Sequence, residues 1–158
     1  MKTFIYLQMT ALFLTAAFAA PVAAAKETPF RGVLQAVETH TVQFPTLFVD
    51  GTRAGKATHL GKFTMTYDTD VNLLTGMGIG SIEFIAANGD SLFADIVGQS
   101  SPTGTPHVVS IVENATITGG TGRFADASGS FTIERLLDQV TGSTSGSFDG
   151  TIVIHKGK

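Results

Sequence analysis

Residues 115–135 read ATITGGTGRFADASGSFTIER, and this stretch decides the fold class of the chain. Two runs of alternating apolar and polar residues flank a segment rich in glycine, and alternation with a period of two is typical of a strand with one buried face. The segment between them suits one helical turn, and glycine permits the positive φ of a tight reversal. The stretch therefore predicts a corner between two antiparallel strands. We expect Phe124 to pack beneath this corner and Arg123 to reach a carboxylate or free carbonyl groups nearby.

A ligand-binding role for this glycine-rich loop is the alternative interpretation, and we favour the architectural one. A phosphate-binding loop of the Walker type is excluded, because it needs Gly-Lys-Ser/Thr ahead of a long helix. No such tripeptide follows these glycines.

The same alternation covers most of the chain after residue 25. Predicted strands span 30–44, 56–72, 78–88, 90–100, 107–119, 129–142 and 145–156, with a loop over 45–55 and a bend at Gly61. Asn88-Gly89 predicts a hairpin with a type I′ turn, because both residues tolerate positive φ. Seven or eight antiparallel strands without a long helix predict a closed barrel or a two-sheet sandwich. We favour the barrel, because closure leaves no unpaired strand edge.

The first 25 residues differ in kind from the rest. Lys2 precedes an apolar run that ends in small residues, and Ala-x-Ala patterns place cleavage after Ala20 or Ala25. This is the organisation of a secretory signal peptide. We therefore expect one domain over 26–158, located outside the cytoplasm as a secreted or periplasmic protein.

Composition excludes several classes of function. The formal net charge is −3 and the basic residues are scattered, so neither nucleic acid nor a membrane surface is an expected partner. The chain has no cysteine, which excludes thiolate metal sites and disulfides. With 12 phenylalanines and no tryptophan, we expect a dry phenylalanine core. No cofactor is predicted.

Several segments resemble a group of exported bacterial proteins of unassigned function, among them SIEFIAANGDSLFADIVGQ and VENATITGGTGRFADASGSFTIERLLD. Their barrel is similar to that of plant allene oxide cyclases and dirigent proteins, and GGTGRFADASGSF is like a corner of the dirigent proteins. The resemblance implies an eight-stranded antiparallel, calycin-like barrel with a central cavity. It does not imply the plant activities, because sites are grafted onto folds, and no functional residue carries over.

Glu38 and His40 lie two positions apart in the first predicted strand, in register with Leu34 and Ala36. An inward-facing pair would be an acid–base pair. If instead the alternate positions of Val33 and Val37 face the core, the Glu38–His40 pair is solvated. This second interpretation is the favoured one.

His59 shares its parity with Phe63 and Tyr67, which predicts an inward imidazole. Together with His40 and a carboxylate it would have the ligand types of a zinc or copper site. The spacing matches no known metal motif, so we predict no metal and a histidine at the barrel mouth.

Glu113 and Arg135 are charged residues at alternate positions that are otherwise apolar, in the fifth and sixth predicted strands. If these strands pair across the corner, the two side chains can form a buried ion pair. Such a pair could orient a ligand or fix the strand register, and we slightly favour the register role.

Three functions remain open. The favoured one is a non-catalytic barrel that binds a small apolar ligand or acts as a structural module outside the cytoplasm. The second is a cyclase or isomerase in which Glu113, Arg135 or Tyr67 polarises an apolar substrate. The third is an interaction module that forms a homo-oligomer.

Overall fold

The computed structural model describes residues 26–155, so the predicted signal peptide lies outside the described residues. Eight antiparallel strands follow one another around a closed barrel, in which β1 pairs with both β2 and β8. The predicted closed barrel is confirmed. The strands are β1 (Thr28–Gln43), β2 (Thr46–Ala57), β3 (Gly61–Asn72), β4 (Met77–Ile85), β5 (Ser91–Pro102), β6 (Val108–Gly120), β7 (Ser128–Asp138) and β8 (Ser143–Val153).

Because the strands run alternately up and down, their connections alternate between the two ends of the barrel. We call the lower end the one that carries the connections 58–60, 86–90 and 121–127. The upper end carries the connections 44–45, 73–76, 103–107 and 139–142. Among residues 26–155, no helix has the length and apolar character needed to cross a membrane.

The second quarter of the chain differs from the prediction. The segment predicted as a loop over 45–55 is mostly strand β2, which pairs with β1 and β3 along its whole length. The strand predicted over 56–72 does not bend at Gly61, because the chain reverses there in a tight turn. His59 and Gly61 hold positive φ values of 63° and 69° in this turn. Residues 26–155 therefore form eight strands, one more than the seven delimited in the sequence and within the predicted seven or eight.

The hairpin predicted at Asn88-Gly89 joins β4 to β5, but its turn is not type I′. Only Gly89 of the pair has positive φ, at 88°, and its N–H donates to the Ala86 carbonyl at 2.9 Å. This matches a three-residue loop closed by a left-handed glycine. The Asn88 side chain instead donates to Asp90 Oδ2 at 2.7 Å.

The corner predicted from residues 115–135 is confirmed. A 3-10 helix over Gly122–Phe124 connects β6 to β7, and the Phe124 side chain is fully buried. Arg123 Nη2 donates to the His59 carbonyl at 2.5 Å and its Nε lies 3.9 Å from Asp90 Oδ2. The corner thus caps the lower end of the barrel.

Phenylalanine fills the lower half of the lumen, as the composition predicts. Phe30 lies 5.1 Å from Phe131 and 5.0 Å from Phe148 between ring centroids, and Phe84 lies 5.2 Å from Phe63. The Phe30–Phe131 and Phe63–Phe84 pairs are edge-to-face, an arrangement that aromatic rings prefer. The chemistry available to a ligand is therefore confined to the upper half.

Candidate functional site

Four charged side chains from four strands cross the lumen above the phenylalanine core, and we call them the charged layer: Glu38, Arg53, Glu113 and Arg135. Arg135 holds Glu113 in a bidentate ion pair, with Nε to Oε2 at 3.0 Å and Nη2 to Oε1 at 2.8 Å. Its Nη1 donates to Glu38 Oε1 at 2.6 Å. Arg53 Nη2 donates to the same oxygen at 2.9 Å, and Arg53 Nη1 lies 3.8 Å from Glu113. Two cations and two anions therefore compensate one another.

The register of the strands explains how these residues meet. Ala36 of β1 pairs with Arg53 on one side and with Thr144 of β8 on the other. Glu38 is the next inward residue of β1, so it lies between cations that reach it from both sides. Thr144 Oγ1 also accepts a hydrogen bond from Arg135 Nη1 at 3.2 Å. The predicted Glu113–Arg135 ion pair is present, although it belongs to a network of four charges.

The favoured interpretation of Glu38 and His40 as a solvated pair is wrong. Val33 and Val37 are 59% and 66% exposed, whereas Glu38 is buried. His40 Nε2 lies 3.3 Å from Glu38 Oε2, so the two side chains do form a carboxylate–imidazole contact. Glu38 can be buried here because both arginines of the charged layer neutralise it.

Tyr67 faces inward at the level of Glu38, as its position in β3 predicts. Arg53 Cζ stacks 3.7 Å from the centroid of its ring. Burial, only partly offset by Arg53, raises the pKa of Tyr67 to about 12. The phenol therefore stays neutral at physiological pH and is no general base.

His59 does not face the lumen, and the prediction that it does is wrong. It occupies the exposed β2–β3 turn at the lower end, where Nε2 lies 3.2 Å from the Pro29 carbonyl. His40 lies near the upper end, so the two histidines cannot share a metal ion. No group of three potential metal ligands occurs within residues 26–155.

A cavity of about 210 Å³ occupies the upper half of the lumen, directly above the charged layer. Its walls combine aliphatic side chains with Gln99, Ser100 and Gln139, and its floor contains Glu38, His40, Glu113 and Arg135. Residues of the walls include Leu47, Val71, Ile96, Val109, Ile111 and Leu137. The arrangement combines apolar walls with a few convergent polar groups, which is typical of small-molecule sites.

The Glu113–Arg135 pair stays ionised in its buried position. Burial is the largest influence on the pKa of Glu113 and would raise it, but the hydrogen bonds and charge of Arg135, with the charge of Arg53, outweigh burial and lower it. Burial would likewise lower the pKa of Arg135, and the hydrogen bond and charge of Glu113 raise it instead.

Acid is expected to destabilise the barrel through Glu113. Because its folded pKa lies below the unfolded value of about 4.3, its contribution is complete above that value and is lost as the pH falls through the folded pKa. Urea unfolding at about pH 7 and at successively lower pH measures the loss. Glu113→Gln removes the titrating group, so the free energy of unfolding of this variant should fall less as the pH is lowered. Glu134→Gln, at an exposed position of β7, should show the same fall as the unmodified protein. An equal loss of unfolding free energy at low pH in both variants would contradict the prediction.

Sequence reasoning missed Arg53, Thr144 and Thr69. Arg53 falls in the segment predicted as a loop, because glycines at inward positions interrupt the apolar alternation there. Every second residue from Leu47 to Ala57 faces inward or is partly buried, and this alternation was the available signal. Thr69 and Thr144 resemble the many other threonines of the chain, and no sequence signal separates them.

Comparisons with known proteins support the fold. No protein-family profile matches the chain. No curated protein matches it either. The barrel is similar to the solved structure of a pterocarpan synthase dirigent protein, with a TM-score of 0.59 and 14% identity, covering 94% of this chain and 100% of that chain. The likeness shows a dirigent-like, eight-stranded antiparallel barrel, and the resemblance to exported bacterial proteins stays a prediction.

Proposed function

We propose that this protein is a secreted or periplasmic, non-catalytic barrel that binds one small, mainly apolar molecule in its upper cavity. The observation that supports the proposal is the cavity itself, in which aliphatic side chains converge with a few polar groups. A well-packed interior has few voids larger than a water molecule, so a space of about 210 Å³ is a site rather than a packing defect.

The cavity volume limits the size of the ligand. An apolar cavity of about 150 Å³ is enough to bind benzene, and drug-sized sites range from about 300 to 1,000 Å³. At about 210 Å³, the upper cavity accommodates one six-membered ring with a small substituent.

The cyclase or isomerase alternative has less support. Glu113 and Arg135 hydrogen-bond each other, and Tyr67 stacks against Arg53 and lies outside the cavity lining. A substrate would have to displace these internal partners before any of the three groups could polarise it. We therefore assign the charged layer the roles of closing the floor and fixing the strand register.

Benzene is a suitable first probe of the cavity. Nuclear magnetic resonance titration should perturb the resonances of the cavity walls and leave those of the phenylalanine core unchanged. Absence of saturable perturbation at the walls would contradict the proposal.

Filling the cavity is expected to abolish benzene binding. Val109→Phe places a ring in the upper cavity, whereas Val112→Phe places the same ring on the outer face of β6. The first variant should lose saturable binding, with a drop in affinity of at least about tenfold because the ligand's contact surface is occupied. The second should bind as the unmodified protein does. Unchanged binding by Val109→Phe would place the site elsewhere.

Native mass spectrometry of the protein recovered from its own extracellular fraction tests the remaining predictions. The polypeptide mass gives the signal cleavage site, and excess mass gives a ligand carried from the cell. The same spectrum gives the oligomeric state. Outward residues Ile79 and Val97 pair directly across β4 and β5 and are both exposed, and this exposed apolar pair is where we expect copies to meet if the protein is a homo-oligomer.

A further inference from the structure

The connections at the upper end of the barrel expose large apolar side chains, whereas those at the lower end bury them. Phe44, Leu74 and Val140 lie on three different upper connections and are 73%, 70% and 73% exposed. On the lower connections, the side chains of Leu60 and Phe124 are buried. Exposed apolar clusters on a soluble protein mark interaction sites. The upper end is therefore the candidate interaction surface.

Two adjacent upper connections bring four exposed apolar side chains together, and we call them the apolar rim: Val42, Phe44, Leu73 and Leu74. Val42 and Phe44 lie at the tip of the β1–β2 hairpin. The Leu73 N–H donates to the Pro45 carbonyl at 2.8 Å. This hydrogen bond holds the 73–76 connection beside the tip of the hairpin, so the apolar rim occupies one side of the upper end.

The apolar rim continues into the wall of the upper cavity. Leu73 lines the cavity and is also 43% exposed. Val42 pairs with Leu47, which lines the cavity as well. Gly76 and Gln139 of two upper connections are further lining residues, so the cavity reaches the upper end. A surface that covers the apolar rim therefore lies beside the mouth of the cavity.

The charges of the protein also distinguish its two ends. No Lys, Arg, Asp or Glu occurs on the upper connections 44–45, 73–76, 103–107 and 139–142, where His107 is the titratable residue. The exposed cations of the described residues lie in the lower half: Lys26, Arg31, Lys56, Lys62 and Arg123. Asp70 and Asp138 lie near the upper ends of β3 and β7. An anionic lipid surface attracts basic segments, so the upper end suits a surface without net charge.

The apolar rim is too small for a stable interface with a second copy of the chain. A standard protein–protein interface takes about 20–30 residues from each partner, and the rim offers four apolar side chains on two connections. A lipid surface sets no such minimum, because binding increases with each apolar side chain that enters it. Lipid is therefore the occupant that fits the size of the rim.

We infer that the apolar rim docks on a lipid surface without net charge and turns the mouth of the upper cavity toward the lipid. The docking goes beyond the proposed function, whereas uptake of an apolar ligand directly from the lipid rests on that function. Burial of apolar side chains drives the docking. The scattered basic residues, which give no reason to expect attraction to anionic headgroups, are consistent with it.

Flotation with phosphatidylcholine vesicles tests the docking on protein recovered from its own extracellular fraction. The protein should float with the vesicles, and the bound fraction should be equal at about 0.05 and about 0.5 M salt, because apolar contacts are not screened. Admixture of phosphatidylglycerol should lower the bound fraction. The inference is wrong if the protein binds no vesicles. It is equally wrong if only anionic vesicles bind, since the cations of the lower half would then make the contact.

Leu74→Asp tests the position of the contact. The variant places a charge where the apolar rim enters the lipid, so vesicle binding should weaken at least about tenfold. Val33→Asp adds the same charge at a 59% exposed position in the lower half of β1 and should bind as the unmodified protein does. Circular dichroism verifies that both variants are folded. Equal vesicle binding by the two variants would overturn the inference.

Benzene titration separates the docking from the proposed function. Leu74 does not line the cavity, so Leu74→Asp should bind benzene as the unmodified protein does while it loses the vesicles. If the unmodified protein binds benzene but no vesicles, the docking fails and the proposed function stands. If it binds vesicles but no benzene, the docking stands and the proposed function fails. A dimer in solution that Leu74→Asp dissociates would assign the apolar rim to a second copy and overturn the lipid inference.

Discussion

Replacement of Arg135 by methionine is expected to lower the free energy of unfolding by about 3–5 kcal/mol, the cost of removing one partner from a buried ion pair. Arg135 makes two hydrogen bonds to Glu113 and one to Glu38, and it is 6% exposed. Its loss leaves only Arg53 to compensate two buried carboxylates. Urea unfolding monitored by circular dichroism measures the change.

Arg31→Met is the matched control for this experiment. Arg31 Nε lies 2.7 Å from Asp149 Oδ2, but the two side chains are 64% and 68% exposed. Exposed ion pairs contribute at most about 1 kcal/mol. If Arg135→Met destabilises the protein no more than Arg31→Met does, the charged layer is not the buried network described above.

Removal of both charges of the pair provides a second check. Replacing Glu113 and Arg135 together by apolar residues of similar volume should cost less than Arg135→Met alone, because no carboxylate is then left without its partner. The unfavourable effect of Arg135→Met should also shrink in acid, since protonation removes the uncompensated charge on Glu113. An additive double variant would contradict the coupling between the two residues.

The barrel could be predicted because its strands alternate with a period of two and its turns contain glycine. Strand β2 escaped prediction for a physical reason. A Cβ atom at Gly51 would overlap the Tyr67 hydroxyl group, and one at Gly55 would overlap the Val33 carbonyl. These glycines make room inside the barrel rather than turn the chain, but glycine looks the same in sequence for both purposes.

The inward face of β1 could not be predicted from β1 alone. The alternate positions of Val33 and Val37 are locally more apolar than those of Leu34 and Glu38, so alternation favours the face that is in fact exposed. Arg53 decides the matter, because it compensates Glu38 from the neighbouring strand. Long-range charge compensation of this kind has no local sequence signal, and a one-residue shift reverses every inward assignment.

Phe84→Ala is expected to destabilise the barrel by about 3–5 kcal/mol, the usual cost of deleting a buried phenylalanine ring. Phe84 is fully buried, and its ring centroid lies 5.2 Å from that of Phe63 and 5.9 Å from that of Phe131. Rings from neighbouring strands cannot collapse into the space, because the hydrogen-bonded wall fixes their backbones. Thermal and urea unfolding both measure the effect.

The chain provides a matched comparison in Phe93, on the adjacent strand β5, whose side chain is 37% exposed on the outer face. Phe93→Ala removes the same atoms without opening a cavity in the lumen, so its cost should stay below about 1.5 kcal/mol. Because the chain has no disulfide to stabilise it, the difference in unfolding free energy between the two variants measures how far the phenylalanine cluster stabilises the barrel. Equal destabilisation by both variants would show that the strand ladder, rather than the packed lumen, provides most of the stability.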